Sequence, residues 1–405
     1  MSLKSGVLSV ALGLVFLSVP APVLRAESSG SGGVEYSGGR QKSVSRRNRR
    51  EAVRDNAVKP AARPAIQQKA SGSKGSASSL PAGVKSEEVK FAGNGVQLAG
   101  TLLLPKMEAG RRAPAVVIYG DARPATRDGV PVGGGVHYLY RDLAEHLAAK
   151  GIAVLRYDRR CAGASDCKRP SNFDDYIMDG EAVVKYVRRR ADIDPQRVVL
   201  FGHGEGGLLA GVVASHDEGG KDKLAGVVLA ATAGRFGSRV VREQIRVMMT
   251  AQGKSAGEIE TYLQKVDQIV SKINAGESNF SAWNLDPGSE TDAMLIRLTE
   301  NPAFAFVLLT TDPLQTVKTI RVPVLILQGE KDVFVTVSDA EYLDEAFARE
   351  GHKDCTMKTM PDADHVFKVC KGDGSLKTYQ DTARPLDQAS LNVLTEWLQK
   401  KLTLQ

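Results

Sequence analysis

Cysteine and long apolar segments are both scarce in this sequence. Only four of its 405 residues are cysteine, and no two of them have the Cys-x-x-Cys spacing typical of a structural zinc site. The apolar run near the N-terminus, Val7 to Val19, is shorter than the roughly 20 residues that a membrane-spanning helix needs. We therefore expect neither a zinc site nor a transmembrane helix. No motif indicates another metal or an organic cofactor.

Residues 1–26, MSLKSGVLSVALGLVFLSVPAPVLRA, have the pattern of a secretory signal peptide. Lys4 precedes the apolar run, two prolines end it, and Ala26 supplies a small residue at the expected cleavage point. The pattern predicts export to the periplasm or the outside of the cell. An uncleaved membrane anchor is the alternative, although the short run argues against it. A lipoprotein anchor is not expected, because no cysteine lies near Ala26.

Residues 27–85 are rich in Ser, Gly, Ala, Pro, Gln and Arg and contain almost no aromatic residues. Such a segment cannot bury enough apolar surface to offset the entropy lost on ordering, which predicts a disordered linker. It holds 12 Lys and Arg against four Asp and Glu, whereas the whole chain has a net charge of +7. The folded remainder is therefore slightly acidic, which argues against a nucleic-acid-binding face. The linker itself fits a weak contact with an anionic envelope polymer. A structural role in the cell wall rests on this composition alone.

The even number of cysteines in an exported chain favours disulfides. Three pairings are possible, and we expect the local one, which joins Cys161 to Cys167 and Cys355 to Cys370. The second of these bridges would close a 15-residue loop, worth about 3 kcal/mol of stability in the chain-entropy description.

Strands and helices alternate through residues 86–405. The segment begins with two β-runs joined by Asn94-Gly95, a strong hairpin pattern. Uninterrupted Val, Ile and Leu runs then alternate with amphipathic segments, which is typical of a parallel sheet with helices on both faces. The sequence thus predicts an α/β fold with a mostly parallel central sheet and an N-terminal β-hairpin.

Residues 238–315 interrupt this alternation, because they contain no strand-like run. Ser255 and Glu258 form a capping box that predicts the start of an amphipathic helix. An all-helical insertion after the carboxyl end of a strand lies where substrates bind in such sheets, so we interpret it as a lid. Extra helices that only stabilise the fold are the alternative.

The sequence VVLFGHGEGGLLAG, residues 198–211, predicts a buried strand that turns sharply into a helix. In serine hydrolases this turn reads G-x-S-x-G, and its serine carries the attacking hydroxyl. Gly204 stands at the serine position here, so the hydroxyl is missing. Gly202, His203 and Gly206 are expected to support the turn.

Further landmarks accompany this turn. The sequence LRYDRRCAGAS is similar to the pattern L-R-Y-D-x-R-G-x-G-x-S, LILQGEKDVFV to a strand end that supplies an acid, and DADHVF to a loop that supplies a histidine. With the turn and the strand end YGD (residues 119–121), they resemble the α/β-hydrolase superfamily over residues 87–403. Within that superfamily they look like the branch of secreted esterases and acyl-peptidase-like, dienelactone-hydrolase-related hydrolases with a helical lid.

The resemblance implies a role for each matching residue. His365 would be the general base, and Asp332 would be the acid that orients its ring. The main-chain N–H groups of Glu205 and of either Asp121 or Ala122 would bind the oxyanion. If the carboxylate of Asp121 points inward, it would repel a developing oxyanion.

The missing nucleophile decides the functional interpretation. We expect a catalytically impaired or non-catalytic protein that binds a small acyl, ester or peptide ligand in a lid-covered pocket. The alternative is an active ester or peptide hydrolase, either with a non-standard nucleophile or as a variant of a serine parent, which the retention of Asp332 and His365 favours. We expect Gly204→Ser to restore esterase activity if the oxyanion hole is intact.

Overall fold

The computed structural model of the protein describes residues 80–121, 126–132, 135–168, 171–217, 223–277, 279–300 and 302–403. The predicted signal peptide and nearly all of the predicted linker lie outside the described residues, as does Ala122. Among the residues that are described, no helix is both long and apolar enough to cross a bilayer.

Ten strands build the described part of the chain. They are β1 (Lys85–Ala92), β2 (Gln97–Leu104), β3 (Ala113–Tyr119), β4 (Val130–Val132), β5 (Gly135–His137), β6 (Ala153–Tyr157), β7 (Ile193–His203), β8 (Gly226–Ala230), β9 (Val324–Gly329) and β10 (Cys355–Met360). Eight of them form one sheet in the order β1-β2-β6-β3-β7-β8-β9-β10, while β4 and β5 form a separate antiparallel pair. β1 and β2 pair antiparallel, as do β2 and β6, and all other neighbours in the large sheet are parallel. The predicted mostly parallel sheet is confirmed.

Ten α-helices accompany the strands within the described residues. They are α1 (Leu139–Ala149), α2 (Phe173–Arg188), α3 (Glu205–His216), α4 (Gly237–Ala251), α5 (Ala256–Asn274), α6 (Glu290–Glu300), α7 (Pro302–Thr310), α8 (Pro313–Val317), α9 (Val337–Arg349) and α10 (Gln388–Leu402). The strands β3, β6, β8 and β9 are buried along their whole length, because their Val, Ile, Leu and Ala side chains pack on both faces of the sheet.

The N-terminal hairpin lies where the sequence predicts it. β1 and β2 pair in register from Lys85 opposite Leu104 to Ala92 opposite Gln97. Gly95 has a φ of +70° in the connecting turn, a backbone conformation that glycine adopts without a steric penalty.

The insertion between β8 and β9 is helical, as predicted. The helices α4 to α8 fill it, and α5 starts with the expected capping box, in which the N–H of Glu258 donates to Oγ of Ser255 at 3.3 Å. Its buried face consists of Ile259, Leu263, Val266, Ile269 and Ile273. Whether this insertion closes over a ligand stays a prediction.

The structure contains one of the two expected disulfides. Cys161 and Cys167 are bonded, whereas Cys355 and Cys370 are free, so the second predicted bridge is wrong. Cys355 begins β10, and the N–H of Cys370 donates to the carbonyl of Asp362, beyond the other end of that strand. Since a six-residue strand spans about 16 Å, the two thiols are too far apart for a disulfide, whose Cα atoms lie about 4–7 Å apart.

Candidate active site

The turn between β7 and α3 has the geometry that the sequence predicts. Gly204 joins the two elements with a φ of +57° and a ψ of −124°, a conformation that strains residues other than glycine. The backbone also packs closely here: a Cβ on Gly202 would lie 2.4 Å from the carbonyl oxygen of Gly206, and one on Gly206 would lie 2.4 Å from that of Gly120. The turn is therefore built by glycine on both sides of position 204.

A second stretch, residues 253–257, also has the spacing G-x-S-x-G. Its Ser255 is the N-cap of α5 and is exposed, and its hydroxyl bonds to Oε2 of Glu258 at 2.8 Å. This serine does not lie on a strand-to-helix turn, so it caps a helix and is not placed as a nucleophile.

The expected acid and histidine lie next to each other. Asp332 follows β9, His365 follows β10, and Nδ1 of His365 donates to Oδ2 of Asp332 at 2.7 Å. The other oxygen of Asp332 accepts the main-chain N–H groups of Phe334 and Val335 at 2.8 and 3.0 Å. These bonds fix the carboxylate, which in turn directs Nε2 of His365 toward the β7–α3 turn.

Asp121 occupies the space beside Gly204. Its carboxylate points inward, since Oδ1 accepts the main-chain N–H of Glu205 at 3.0 Å and Oδ2 lies 3.4 Å from Nε2 of His365. A Cβ placed on Gly204 would lie 2.2 Å from Oδ1 of Asp121, well inside van der Waals contact. The carboxylate thus fills the volume that a side chain at position 204 would need.

His365 is a buried ring between two carboxylates, with 2% of its surface exposed. Burial alone favours the neutral ring, but the charges and hydrogen bonds of Asp332 and Asp121 outweigh it and raise the pKa of His365 to about 10. At neutral pH the ring of His365 therefore keeps its proton between the carboxyl groups of Asp332 and Asp121. A protonated imidazole cannot act as a general base.

A chain of hydrogen bonds joins the three loops of the site. The N–H of Asp121 donates to the hydroxyl of Tyr140 at 2.6 Å, and that hydroxyl donates to Nδ1 of His203 at 3.0 Å. Nε2 of His203 then donates to the carbonyl of His365 at 2.7 Å. Burial and the charge of His365 lower the pKa of His203 to about 4, so its ring is neutral. His203 therefore holds the site together and does not face the reacting position.

A buried ion pair holds the start of α3. Nη2 of Arg159 donates to Oε1 of Glu205 at 2.8 Å, and Nη1 of Arg159 donates to the carbonyl of Asp121 at 3.1 Å. Although burial opposes the charge, the Glu205 carboxylate keeps the pKa of Arg159 above its usual range. The Glu205 side chain thus points to Arg159, and only its main-chain N–H faces Asp121.

Three further residues, Tyr140, Arg159 and Tyr379, belong to the site and were not predicted from the sequence. The hydroxyl of Tyr379, in the 3₁₀ segment Leu376–Gln380, accepts the N–H of His365 at 3.1 Å. Arg159 lies in the stretch LRYDRR, and its place in that motif is the one feature of the sequence that could have indicated its role. Nothing in the pattern marked either tyrosine.

Three side chains could in principle share a metal ion. Ligand atoms of Asp121, His203 and His365 lie within 4.8 Å of one another. Both ring nitrogens of His203 already take part in hydrogen bonds, and Nδ1 of His365 faces Asp332. A metal bound to His203 would have to break one of the hydrogen bonds of its ring, whereas Nε2 of His365 could bind a metal and leave the bond from Nδ1 to Asp332 in place. The hydrogen bonds of His203 therefore fit an ion-pair network better than a metal centre.

Known proteins share this fold. The chain is 25% identical over 316 residues to esterase EstD of Thermotoga maritima, which covers 78% of this chain and 68% of that protein. Among solved structures, the Pyrococcus furiosus esterase Pf2001 aligns with a TM-score of 0.51 and 16% identity, covering 79% of this chain and 92% of that one. The α/β-hydrolase GrgF from Penicillium sp. sh18 aligns with a TM-score of 0.50 and 17% identity, covering 79% and 100%.

The family comparison covers the turn, Asp332 and His365 together. Residues 133–367 match the model of the family Hydrolase_4, described as serine aminopeptidase S33. This match spans more than half of the chain and agrees with the sheet order and with the loops that carry the candidate site. The protein is therefore a member of the Hydrolase_4 family, serine aminopeptidase S33, and has the α/β-hydrolase fold.

Proposed function

We propose that this protein is a ligand-binding member of its family that does not carry out serine-type ester or amide hydrolysis. The position of the Asp121 carboxylate carries this proposal. It lies against Gly204, accepts the N–H of Glu205 at 3.0 Å and faces Nε2 of His365 at 3.4 Å. The Asp121 carboxylate thus fills the space that a serine side chain at position 204 would need. It also binds the main-chain N–H that a substrate oxyanion would need.

The charge of Asp121 opposes acyl transfer directly. A tetrahedral intermediate places negative charge on the substrate oxygen, which donors about 2.7–3.1 Å away must stabilise. The N–H of Glu205 already serves Asp121, and a carboxylate repels a second anion. Loss of one such donor slows an enzyme by roughly 10²–10³, so the site is impaired even apart from the missing hydroxyl.

The protonation of His365 opposes acyl transfer as well. A serine nucleophile must transfer its proton to the histidine as it attacks. The row formed by Asp332, His365 and Asp121 keeps the ring protonated at neutral pH, because the pKa of His365 is raised to about 10. The missing hydroxyl, the occupied donor and the protonated ring all support the same conclusion.

The ligand we propose is a small acyl, ester or peptide molecule held beneath the helical insertion. The names of the related esterases support this ligand class. The position of the insertion supports a binding site beneath it. The N–H of Gly204 donates at 2.9 Å to the carbonyl of Ala230, and the chain leaves the sheet for the insertion after Ala230. We further propose that the protein acts outside the cytoplasm, on the basis of residues 1–26.

The purified protein should be inactive toward p-nitrophenyl acetate and p-nitrophenyl butyrate and should not be labelled by a fluorophosphonate probe. The reason is that Gly204 offers no attacking oxygen and Asp121 fills the space beside it. Release of p-nitrophenol and in-gel fluorescence measure the two properties.

A serine esterase at equal concentration is the positive control, and the heat-denatured protein gives the background of both assays. Turnover or labelling that native protein shows and denatured protein does not would overturn the proposal.

The second candidate is an active ester or peptide hydrolase with a non-standard nucleophile or with a serine parent. The specific observation in its favour is the short bond between His365 and Asp332, which has the length and direction that a general base requires. Hydrolysis of a panel of esters and amides without any fluorophosphonate labelling would favour it over the binding function.

A further inference from the structure

We propose that the disulfide between Cys161 and Cys167 is a thiol–disulfide exchange site, that dithiols are its reductants, and that reduction loosens the segment that holds Arg159 in the candidate site. We call residues 161–167 the disulfide loop. The inference goes beyond the proposed function, because it concerns a covalent bond outside the β7–α3 turn and applies whichever ligand the protein binds.

The disulfide lies at the surface of the protein. Cys161 and Cys167 are both exposed, and together with Lys168 and the turn of the N-terminal hairpin they line a cleft of about 290 Å³. Exchange requires a thiolate to approach one of the sulfur atoms, and a disulfide beside an open cleft meets this requirement. Neither of the other two cysteines is placed for exchange, since Cys370 is buried and burial raises the pKa of the Cys355 thiol to about 12.

The groups around the two sulfur atoms favour attack on Cys167. The next residue, Lys168, has an exposed ammonium group that attracts an incoming thiolate. Cys161 is then the leaving group, and Oγ of Ser171 lies 3.7 Å from its sulfur, where the hydroxyl donates to the thiolate that forms. Such a bond stabilises the leaving thiolate and speeds the exchange. The nearby carboxylate of Asp166 is turned to a main-chain N–H of β2, which it accepts at 3.0 Å.

The exchange proceeds in two steps. A thiolate of the reductant attacks Sγ of Cys167, and the bond from Cys167 to Cys161 breaks as Cys161 leaves with the electron pair. The second thiolate of the reductant then attacks the reductant's own sulfur in the mixed disulfide, and Cys167 leaves. Each leaving sulfur takes up the proton that the attacking thiol gave up. The dithiol becomes an internal disulfide, and two electrons and two protons pass to the protein.

The short loop selects a dithiol over a single thiol. In the mixed disulfide at Cys167, the thiol of Cys161 stays six positions away in the same chain, where it can attack back and re-form the original bond. A thiol on a separate molecule competes poorly with this internal attack. The second thiol of a dithiol is internal as well, so it has a comparable effective concentration.

The disulfide loop joins the N-terminal hairpin to the end of β6. Oγ of Ser165 accepts the N–H of Ala99 in β2 at 2.9 Å and donates to the carbonyl of Asp158 at 2.6 Å. The N–H of Asp166 donates to the carbonyl of Gln97 at 2.9 Å. These bonds require the loop to keep its present shape.

The same loop contacts Arg159 through the main chain. The N–H of Ala162 donates to the carbonyl of Arg159 at 2.9 Å. The guanidinium group of Arg159 in turn donates to Oε1 of Glu205 at 2.8 Å and to the carbonyl of Asp121 at 3.1 Å. A change in the disulfide loop therefore reaches the candidate site through one residue.

The backbone of Cys161 gives the disulfide something to hold. Its φ is +64°, a left-handed conformation that residues with a Cβ adopt only at a cost, and its N–H donates to the carbonyl of Asp166 at 3.0 Å. The bond to Cys167 opposes relaxation of this conformation, because it fixes the two ends of the loop to each other. Once the bond is reduced, Cys161 is free to return to a negative φ, which separates its N–H from Asp166.

The first experiment measures reduction of the folded full-length protein. Dithiothreitol should reduce the disulfide without denaturant, and iodoacetamide should then add to Cys161 and Cys167, which mass spectrometry of tryptic peptides locates. Mercaptoethanol at the same thiol concentration should give at least about tenfold less reduced protein. A disulfide that dithiothreitol reduces only after denaturation would overturn the exchange site, and equal reduction by mercaptoethanol would overturn the choice of dithiols.

A lysine variant tests the direction of attack. Lys168→Gln removes the charge beside Cys167 and should slow reduction by dithiothreitol at least about twofold. The matched change Lys353→Gln, at an exposed lysine before β10, should leave the rate unchanged. Equal rates for both variants would overturn attack on Cys167.

The second experiment follows hydrogen exchange of single amides by NMR before and after reduction. Exchange at Ala99 should become at least about tenfold faster, exchange at Glu205 should also become faster, and the amides of α5 should not change. The variant Cys161→Ser/Cys167→Ser should match the reduced wild type, whereas Cys355→Ser should respond to dithiothreitol as the wild type does. Unchanged exchange at Ala99 in reduced wild type would overturn the loosening of the loop. A change at Ala99 without one at Glu205 would overturn its coupling to the candidate site.

Discussion

The double variant Asp121→Ala/Gly204→Ser should hydrolyse p-nitrophenyl butyrate, whereas Gly204→Ser alone should stay inactive. In the single variant the new Cβ would lie 2.2 Å from Oδ1 of Asp121, so the hydroxyl cannot take its place unless the carboxylate moves. Removal of Asp121 frees the N–H of Glu205 and also takes away one of the charges that hold His365 protonated. Serine at position 204 is therefore expected to restore esterase activity only when Asp121 is replaced as well.

The expected gain is large. A triad nucleophile is worth about a millionfold in kcat, and recovery of even a small part of that should give at least about a hundredfold over background. The matched control is Asp121→Ala/Gly204→Ala, which has the same Cβ at position 204 and no hydroxyl. Initial rates and fluorophosphonate labelling of the two double variants measure the effect of the hydroxyl alone.

Serine at position 204 should also destabilise the protein, because a φ of +57° costs a residue other than glycine about 1–3 kcal/mol. Urea unfolding therefore belongs to the same experiment. A folded serine double variant with no more activity than its alanine control would mean that Asp332 and His365 no longer form a working pair.

The second large effect is on stability against pH. The free energy of unfolding should fall as pH rises from about 6.5 to about 10, because the buried His365 keeps its proton when folded and loses it when unfolded over that range. Below about 6.5 both states are protonated, and the stabilisation is fully present. Above about 10 it is lost. With 1.36 kcal/mol for each pKa unit, the change is on the order of 5 kcal/mol.

Urea unfolding at about pH 6, 8 and 10 measures this dependence, with His365→Gln as the control. Other groups also titrate near pH 10, so the informative quantity is the difference between wild type and variant. That difference should shrink as pH rises. A difference that does not change with pH would show that His365 is neutral in the folded protein.

Much of the fold could be predicted because it follows from local patterns. The buried strands β3, β6 and β8 each contain a run of Val, Ile, Leu and Ala, and Asn94-Gly95 specifies its turn through a backbone conformation that few residues tolerate. The loops that carry Asp332 and His365 follow strands of a parallel sheet, so their convergence at one edge follows from topology.

The direction of the Asp121 side chain could not be predicted in the same way. It depends on the N–H of Glu205, 84 positions away in the chain, and on the space that the absent side chain of Gly204 leaves. The mistaken bridge between Cys355 and Cys370 has a related cause. The two cysteines are only 15 residues apart in the sequence, which suggested that they lie close together. In the structure they lie near opposite ends of β10. The short β4–β5 pair escaped prediction because three-residue strands leave no periodic pattern.

The relay from Asp121 through Tyr140 and His203 to His365 starts at a main-chain N–H and ends at a main-chain carbonyl. The side chains at positions 121 and 204 contribute nothing to it. The hydrogen bonds that join the loops of the site therefore do not depend on which side chains stand at positions 121 and 204. A combinatorial library at these two positions should therefore vary the reactive group while this chain of hydrogen bonds stays in place, at the cost in stability that a side chain at position 204 brings.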